Sequence, residues 1–279
     1  MTRYSLLLLF FFIGELCYSQ QYNTLEIEKV NTDLNNNIYK IGNAFTFDYE
    51  IIIDGNKYRL NQNGRFPGDK FTLVKEENDT LGLKIQLIVP KVDKSQRTNK
   101  KQTEIYYLFE PDFSSLSGTG VVENENNIWL HPPRSGFFSA LETCPFPYVK
   151  YPIEIGKNWQ DKMKIGDHWC DEKWGVWKKK LLLLYDYKIK EKTNINTKVG
   201  ALECYVIESN AKSEIGESKL KSYFSEKYGF IRLEYEMATG LRVNLWIDHF
   251  SENNNFNDFE NIGKYITEQK KTIANILYK

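Results

Sequence analysis

The architecture of this chain is first visible in residues 45–60, which read FTFDYEIIIDGNKYRL. Apolar and polar side chains alternate in the first half of this stretch, as in a strand with one buried and one solvated face. Asp54-Gly55 tolerates the positive φ angles of a type I′ turn, so the chain can return as a second strand. The turn sets three cross-strand pairs: Tyr49 with Leu60, Ile51 with Tyr58, and Ile53 with Asn56. We therefore predict an antiparallel hairpin.

The same period-two alternation recurs farther along the chain. It covers residues 81–89 before Pro90, residues 105–109 before Pro111, and residues 181–189, 231–235 and 241–247. Alternating strands without crossover helices form antiparallel sheets, and a large sheet curls over its apolar face. The predicted fold class is mainly β: a large curved antiparallel sheet, as a half-barrel or open barrel, with long Trp/Pro-rich loops.

The two ends of the chain differ from this pattern. Residues 1–19 combine Arg3, an apolar run at 6–13 and Ser19, which is typical of a secretory signal peptide. We therefore expect a secreted or periplasmic protein of the cell envelope without a transmembrane span after cleavage; a lipid anchor on Cys17 is the less favoured alternative. Residues 251–279 form a polar linker and a C-terminal helix, whose apolar stripe is interrupted by Gln269: Ile262, Tyr265, Ile266, Ile273, Ile276 and Leu277.

Between these ends, residues 20–250 are most simply one β domain, and the alternative is a break near residues 110–127. The whole chain, with 41% hydrophobic and 27% charged residues, has the composition of a globular protein with a core. The 37 basic and 37 acidic side chains cancel, so no long-range field draws the chain to nucleic acid or to an anionic membrane. We expect no nucleic-acid partner.

Residues 128–178 concentrate Trp, Pro, His and Cys, and we predict an irregular, Pro-stiffened segment that contains any functional site. The candidate ligand-binding residues are Trp129, His131, Arg134, Trp159, Trp169, Trp174 and Trp177. In an oxidising compartment Cys144 and Cys170 are candidates for a disulfide. Cys204 alternates with Leu202 and Val206 and is interpreted as a small buried apolar residue.

Catalytic chemistry has little support in the sequence. The donors His131, Cys144, His168 and Cys170 lack the close spacing of a metal site, so we assign no metal. Ser135 near His131, with Asp167 or Asp171 as the orienting carboxylate, is the nearest approach to a hydrolase. No Gly-x-Ser-x-Gly motif accompanies it. We assign no catalytic residue and no cofactor.

Residues 197–235 carry a family resemblance. The run VGALECYVI at 199–207, followed by YFSEKYGFIRLEY at 223–235, resembles a family of uncharacterised Gram-negative envelope proteins. In that family a Gly-small-aromatic strand precedes an aromatic strand and a Gly-aromatic-aliphatic strand. The resemblance implies a bent antiparallel half-barrel similar to periplasmic lipoprotein carriers, and it brings no catalytic residues.

Three functional hypotheses follow. The first is a non-enzymatic protein that binds a lipid, another apolar molecule or an envelope partner on its curved sheet. The second is a glycan-binding protein that uses the Trp-rich loops, because aromatic faces stack on the apolar faces of sugars and Arg134 supplies a planar fork of donors. An unrecognised hydrolase is the third. By alternation, Trp246 falls on the polar face of its strand with Arg242, Asn244 and Asp248.

Overall fold

The computed structural model describes residues 36–61, 72–77, 83–111, 113 and 117–277. The predicted signal peptide and Cys17 lie outside these residues. In chain order the strands are β1 (Ala44–Ile53), β2 (Asn56–Asn61), β3 (Thr72–Lys75), β4 (Ile85–Ile88), β5 (Thr103–Phe109), β6 (Ser117–Glu123), β7 (Asn127–Leu130), β8 (Tyr148–Lys150), β9 (Asn158–Gly166), β10 (Lys180–Thr197), β11 (Gly200–Ser213), β12 (Gly216–Ser225), β13 (Gly229–Glu236) and β14 (Arg242–Ser251). Helix α1 (Phe259–Leu277) follows.

All the strands belong to one antiparallel sheet, which confirms the predicted mainly β fold with a curled half-barrel sheet. The order is β8-β7-β6-β5-β4-β1-β14-β13-β12-β11-β10-β9, and β2 and β3 extend from β1. Two meanders, β4 to β8 and β9 to β14, therefore meet where β1 pairs with β14. Between β8 and β9, which are the two edge strands, the chain crosses from one edge of the sheet to the other.

The predicted hairpin is confirmed for two of its three expected pairs; Tyr49 and Leu60 are not a ladder pair, and the Leu60 N–H instead donates to Tyr49 Oη at 3.2 Å. Ile51 pairs with Tyr58, and Ile53 pairs with Asn56. Asp54 and Gly55 have φ angles of 49° and 78°, as a type I′ turn requires. The first half of β1 pairs with β4 instead, so β1 divides the sheet into a long path and the short β2–β3 extension.

Alternation assigns the two faces of the sheet, which we call inner and outer. The inner face carries the main apolar cluster, with residues such as Phe45, Leu183 and Val243 almost fully buried. Helix α1 lies on the outer face, where Ile262 packs in a second cluster with Ala44, Ile88, Tyr106 and Leu108. The C-terminal helix is thus confirmed; the side chains of Ile276 and Leu277 lie outside the described residues.

Gln269, which interrupts the apolar stripe of α1, has a partner on the sheet. The Gln86 side chain on β4 donates a hydrogen bond to Gln269 Oε1 at 3.3 Å and accepts one from Tyr265 Oη at 2.9 Å. Helix α1 is therefore fixed to the outer face by a polar seam beside its apolar contacts, because buried polar groups need such partners.

The segment 128–178 is more regular than predicted. It contains part of β7, a 3₁₀ helix at Gly136–Thr143, β8 and all of β9. In β9 the buried positions alternate, but Asp161 shares the inner face with Trp159, Met163 and Ile165 and breaks the apolar pattern. Strand 81–89 is shorter than predicted, since β4 covers only Ile85–Ile88 and residues 81–82 lie outside the described residues.

The predicted bridge between Cys144 and Cys170 is not formed in this structure. The described cysteines, Cys144, Cys170 and Cys204, are free thiols. Cys144 lies fully buried beside Thr143 and Ser218, and burial raises the pKa of its thiol to about 12. Cys170 follows the short 3₁₀ turn at Asp167–Trp169 and is partly exposed. A thiol held in the core, as that of Cys144 is, is protonated and unreactive. Cys204 is buried, as the alternation indicates.

Candidate functional site

The inner face of the sheet is filled by the chain itself. Residues 131–147, which we call the plug, run across this face and contain the 3₁₀ helix. Phe137, Phe138 and Leu141 are fully buried in the main cluster. The ring of Phe138 lies 5.2 Å from Tyr49 of β1 and 5.6 Å from Phe109 of β5, so the plug contacts the central strand and the β4 to β8 meander.

Polar side chains of the inner face hold the plug by its backbone. Three hydroxyl groups from different strands each donate a hydrogen bond to a plug carbonyl oxygen: Tyr107 to His131 at 2.8 Å, Ser218 to Thr143 at 2.7 Å, and Tyr187 to Phe146 at 3.1 Å. A buried carbonyl without a partner is costly, so each donor fixes the plug in place. The concave side is therefore an interior of the protein in this conformation.

Four of the five clustered Trp residues are part of this interior. Trp129, Trp159, Trp174 and Trp177 are each at most 8% exposed. Trp159 of edge strand β9 stacks on Tyr187 at 5.2 Å and meets Tyr148 of the opposite edge strand β8 at 5.5 Å. These rings pack the two sheet edges against each other, and their faces are occupied.

Trp169 and Arg134 are the partly exposed members of the predicted set. The guanidinium of Arg134 lies 5.9 Å from the Trp169 ring centre and donates a hydrogen bond to the Gly118 carbonyl oxygen at 2.8 Å. A cation over an indole ring is a stabilising contact. The structure brings these two residues together at the surface and places the other five predicted residues in the core.

His131 forms a buried pair with Glu142 inside the plug. His131 Nδ1 lies 2.8 Å from the Pro132 carbonyl oxygen, which can only accept, so Nδ1 carries the proton. His131 Nε2, 3.3 Å from Glu142 Oε1, is then an acceptor. Burial raises the pKa of Glu142 to about 7 and lowers that of His131 to about 3. Glu142 Oε1 has no hydrogen-bond partner among the described residues, and burial favours the neutral, protonated form of this carboxyl group.

Three residues considered for a hydrolase, His131, Asp167 and Asp171, each contact other groups. His131 Nδ1 lies beside the Pro132 carbonyl oxygen, and its Nε2 lies 3.3 Å from Glu142 Oε1. Asp167 accepts from the backbone N–H of Lys179, and Asp171 accepts from that of Lys173. No His, Cys, Asp and Glu side chains form a group of three or more around a common point in the described ranges.

An open groove lies on the outer face of β11 to β14. Strand register arranges its side chains in two cross-strand rows. The first row is Glu208, Lys221, Glu234 and Asn244, and the second is Asn210, Lys219, Glu236 and Arg242. Neighbouring rows on one face are about 7 Å apart and neighbouring strands about 5 Å apart. The two rows thus form a compact grid of amides, carboxylates and cations.

Aromatic rings border this grid on one side. A third row, next to the first, pairs Tyr223 with Arg232 and Arg232 with Trp246. Tyr223 and Trp246 are partly exposed, and the Arg232 guanidinium lies 5.5 Å from the Tyr223 ring centre. Alternation in β14 correctly places Trp246 on the polar face, so the sequence contained this signal, whereas the register that joins four strands is not visible in it.

The charges of the grid are paired only loosely. Lys219 lies 3.3 Å from Glu236, and about half of each side chain is exposed. Arg232 contacts Glu234 at 2.6 Å, and Asn244 donates to Glu50 at 2.8 Å. Exposed ion pairs stabilise a protein by at most about 1 kcal/mol. These side chains can therefore exchange partners with a polar ligand at small cost.

No protein-family model matches the chain, and no curated protein matches it. Three solved structures resemble it in fold. A Bacteroides fragilis protein, named as exported and as having a YmcC-like fold, shares 11% identity with a TM-score of 0.44 over 77% of this chain and 98% of its own. A Parabacteroides distasonis protein named as a lipoprotein shares 9% identity with a TM-score of 0.43 over 77% and 97%.

The third structure is the hypothetical lipoprotein YmcC from Escherichia coli, with 11% identity and a TM-score of 0.34 over 78% of this chain and 89% of its own. The predicted resemblance to Gram-negative envelope proteins is thus confirmed as a weak structural likeness. Within the part of the chain that the structure covers, no helix combines the length and apolar character that a bilayer span needs.

Proposed function

We propose that this chain is an exported, non-catalytic protein of the cell envelope that binds a hydroxyl-rich glycan in the groove on β11 to β14. Export is supported by the signal-peptide pattern of residues 1–19. The observation that carries the ligand assignment is the groove itself, in which amide, carboxylate and cationic side chains form rows beside two partly exposed aromatic rings.

The chemistry of the groove suits a neutral saccharide. Each sugar hydroxyl both donates and accepts, so it needs donors and acceptors side by side, and Glu208, Lys221, Glu234 and Asn244 alternate in this way. Trp246 offers a ring face for the apolar side of a sugar ring, whereas the Tyr223 ring already lies beside Lys221 and Arg232, at 5.4 and 5.5 Å from its centre. Three carboxylates and three cations in the two rows balance, which favours a ligand without a large net charge.

The glycan site proposed here differs from the one expected from sequence. The Trp-rich segment places most of its rings in the core, where a sugar cannot stack on them. An apolar ligand on the concave side would first have to displace the plug and break its hydrogen bonds to Tyr107, Tyr187 and Ser218. The outer face needs no such rearrangement.

Binding of the mature chain, residues 20–279, to an array of bacterial glycans tests this proposal, with affinities for positive glycans measured by calorimetry. Trp246→Ala and Asn244→Ala should each weaken binding about tenfold, because a stacking contact or a hydrogen bond contributes about 1–1.5 kcal/mol. Asn194→Ala, an exposed residue of β10 outside the groove, is the matched control and should bind like the wild type. No binding on the array, or equal binding by all four chains, would refute the groove assignment.

A further inference from the structure

A second surface on the outer face has a composition that core packing does not explain. Residues 178–184 read KKKLLLL. In β10 Leu181 and Leu183 point inward and are fully buried, as alternation requires. Leu182 and Leu184 point outward and are 41% and 49% exposed. These two leucines are adjacent on the solvated face of one strand, so they form a small continuous apolar patch.

Lysines surround these two leucines. Across the ladder to edge strand β9, Leu182 pairs with Lys164 and Leu184 pairs with Lys162. On the other side Leu184 pairs with Lys212 of β11. Lys180 is the preceding outward residue of β10, and the exposed Lys178 and Lys179 lead into the strand. We call Lys162, Lys164, Lys180, Leu182 and Leu184 the β9–β10 corner.

The carboxylates near the corner lie at its margins. Asp186, the next outward residue of β10, accepts a hydrogen bond from Gln160 at 2.7 Å. Asp167 accepts one from the backbone N–H of Lys179. Glu217 lies 3.9 Å from Lys212, on the side away from β9. Six lysines at positions 162, 164, 178, 179, 180 and 212 surround the two leucines and outnumber these three carboxylates, although the whole chain has a formal net charge of zero.

Protection of the sheet edge accounts for only part of this pattern. Lysines on an edge strand such as β9 discourage pairing with another chain. That role does not require apolar side chains on β10, one strand in from the edge. Leucines framed by lysines are instead the arrangement of a surface that inserts apolar groups between anionic headgroups while the ammonium groups contact phosphate.

We infer that the β9–β10 corner seats the protein on a membrane surface that contains anionic phospholipid. A bilayer fits better than a soluble polyanion, since Leu182 and Leu184 gain only from an apolar environment. The lysines supply attraction over a Debye length, and the leucines supply the short-range contact. This contact is peripheral and requires no spanning segment.

Co-sedimentation of residues 20–279 with vesicles tests the inference. Vesicles of phosphatidylethanolamine and phosphatidylglycerol should bind the protein, binding should fall as salt is added, and phosphatidylcholine vesicles should bind it much less. Lys162→Gln/Lys164→Gln and Leu182→Ser/Leu184→Ser should each lower binding to the anionic vesicles about tenfold. Lys264→Gln/Lys270→Gln removes the same charge from exposed positions of α1 and should bind like the wild type.

Each alternative outcome contradicts the inference in a recognisable way. Equal binding to the two kinds of vesicle would show that anionic headgroups are not recognised. Loss of binding in the lysine variant but not in the leucine variant would indicate a surface for soluble polyanions such as acidic polysaccharides. Full binding by both corner variants would place the contact elsewhere. Since all four substitutions are outward, circular dichroism should show unchanged folds and rule out unfolding as the cause of a loss.

Discussion

Replacing Glu142 by Gln should make the protein more stable at neutral and alkaline pH. Glu142 lies in the plug, almost fully buried, with Oε1 3.3 Å from His131 Nε2. Because Nδ1 of His131 donates to Pro132, Nε2 needs a donor, and an ionised Glu142 has none to offer. The Gln amide group reproduces the protonated carboxyl group and carries no charge at any pH.

The magnitude follows from the shift in pKa. Burial raises the pKa of Glu142 from 4.5 to about 7. Between these values the unfolded chain releases the proton and the folded chain keeps it, so wild-type stability falls as pH rises through this window. At about 1.4 kcal/mol per pKa unit, the loss through Glu142 is about 3 kcal/mol, and Glu142→Gln should avoid it.

His131 changes stability with pH in the opposite direction, and it does so in the wild type and in Glu142→Gln alike. Burial lowers its pKa from 6.5 to about 3, so the unfolded chain binds a proton first and stability falls as pH decreases from 6.5 towards 3. Arg134 adds to the burial effect at His131 and opposes it at Glu142. The wild type should therefore be most stable in mildly acidic solution, and Glu142→Gln should move that optimum to neutral pH or above.

Urea unfolding followed by Trp fluorescence, at several pH values from 5 to 8, measures the effect. The free energy of unfolding of Glu142→Gln should be close to that of the wild type at pH 5 and higher by up to about 3 kcal/mol at pH 8. Glu172→Gln, at an exposed position, is the control and should show no such divergence. A constant difference between Glu142→Gln and wild type across the range would refute the buried neutral pair.

Three further outcomes test the plug and the turns. Tyr187→Phe leaves the buried Phe146 carbonyl oxygen without its 3.1 Å donor and should lower the free energy of unfolding by about 1–3 kcal/mol in urea titrations. Gly229→Ala should lower the thermal midpoint strongly, since φ is 73° and a Cβ would lie 2.6 Å from Tyr39 Oη. The Cys144 thiol should resist Ellman's reagent in the folded protein and react after unfolding; a bridged Cys144 would stay unreactive.

Much of the sheet could be predicted because strands are encoded locally. Alternation marks the buried face of β1, β5, β10, β13 and β14, and Asp54-Gly55 marks the hairpin turn. Strand β9 was missed because Asp161 occupies its apolar face. Gln269 likewise places a polar residue in the apolar stripe of α1. Its hydrogen-bond partner is Gln86, which is distant in sequence.

The candidate site depends on contacts that the sequence does not encode locally. Prolines and aromatics mark residues 128–178 as unusual, but only the curled sheet decides that the plug lies on its inner face, where Phe146 packs against Trp129. The groove depends on the register of four strands, which places Glu208 and Asn244 at the two ends of one cross-strand row. Trp246 was placed on the polar face correctly because orientation within one strand is a local property.

The central claim is that the outer groove, and not the plugged concave face, is the binding surface. Backbone amide NMR spectra of the native chain, recorded while the best glycan of the array is added, test it most directly. If the glycan binds in the groove, shifts should concentrate at Glu208, Lys221, Glu234, Asn244 and Trp246, and the amides of residues 131–147 should stay unchanged. Shifts concentrated in residues 131–147 and on the inward positions of β10 and β12 would contradict it.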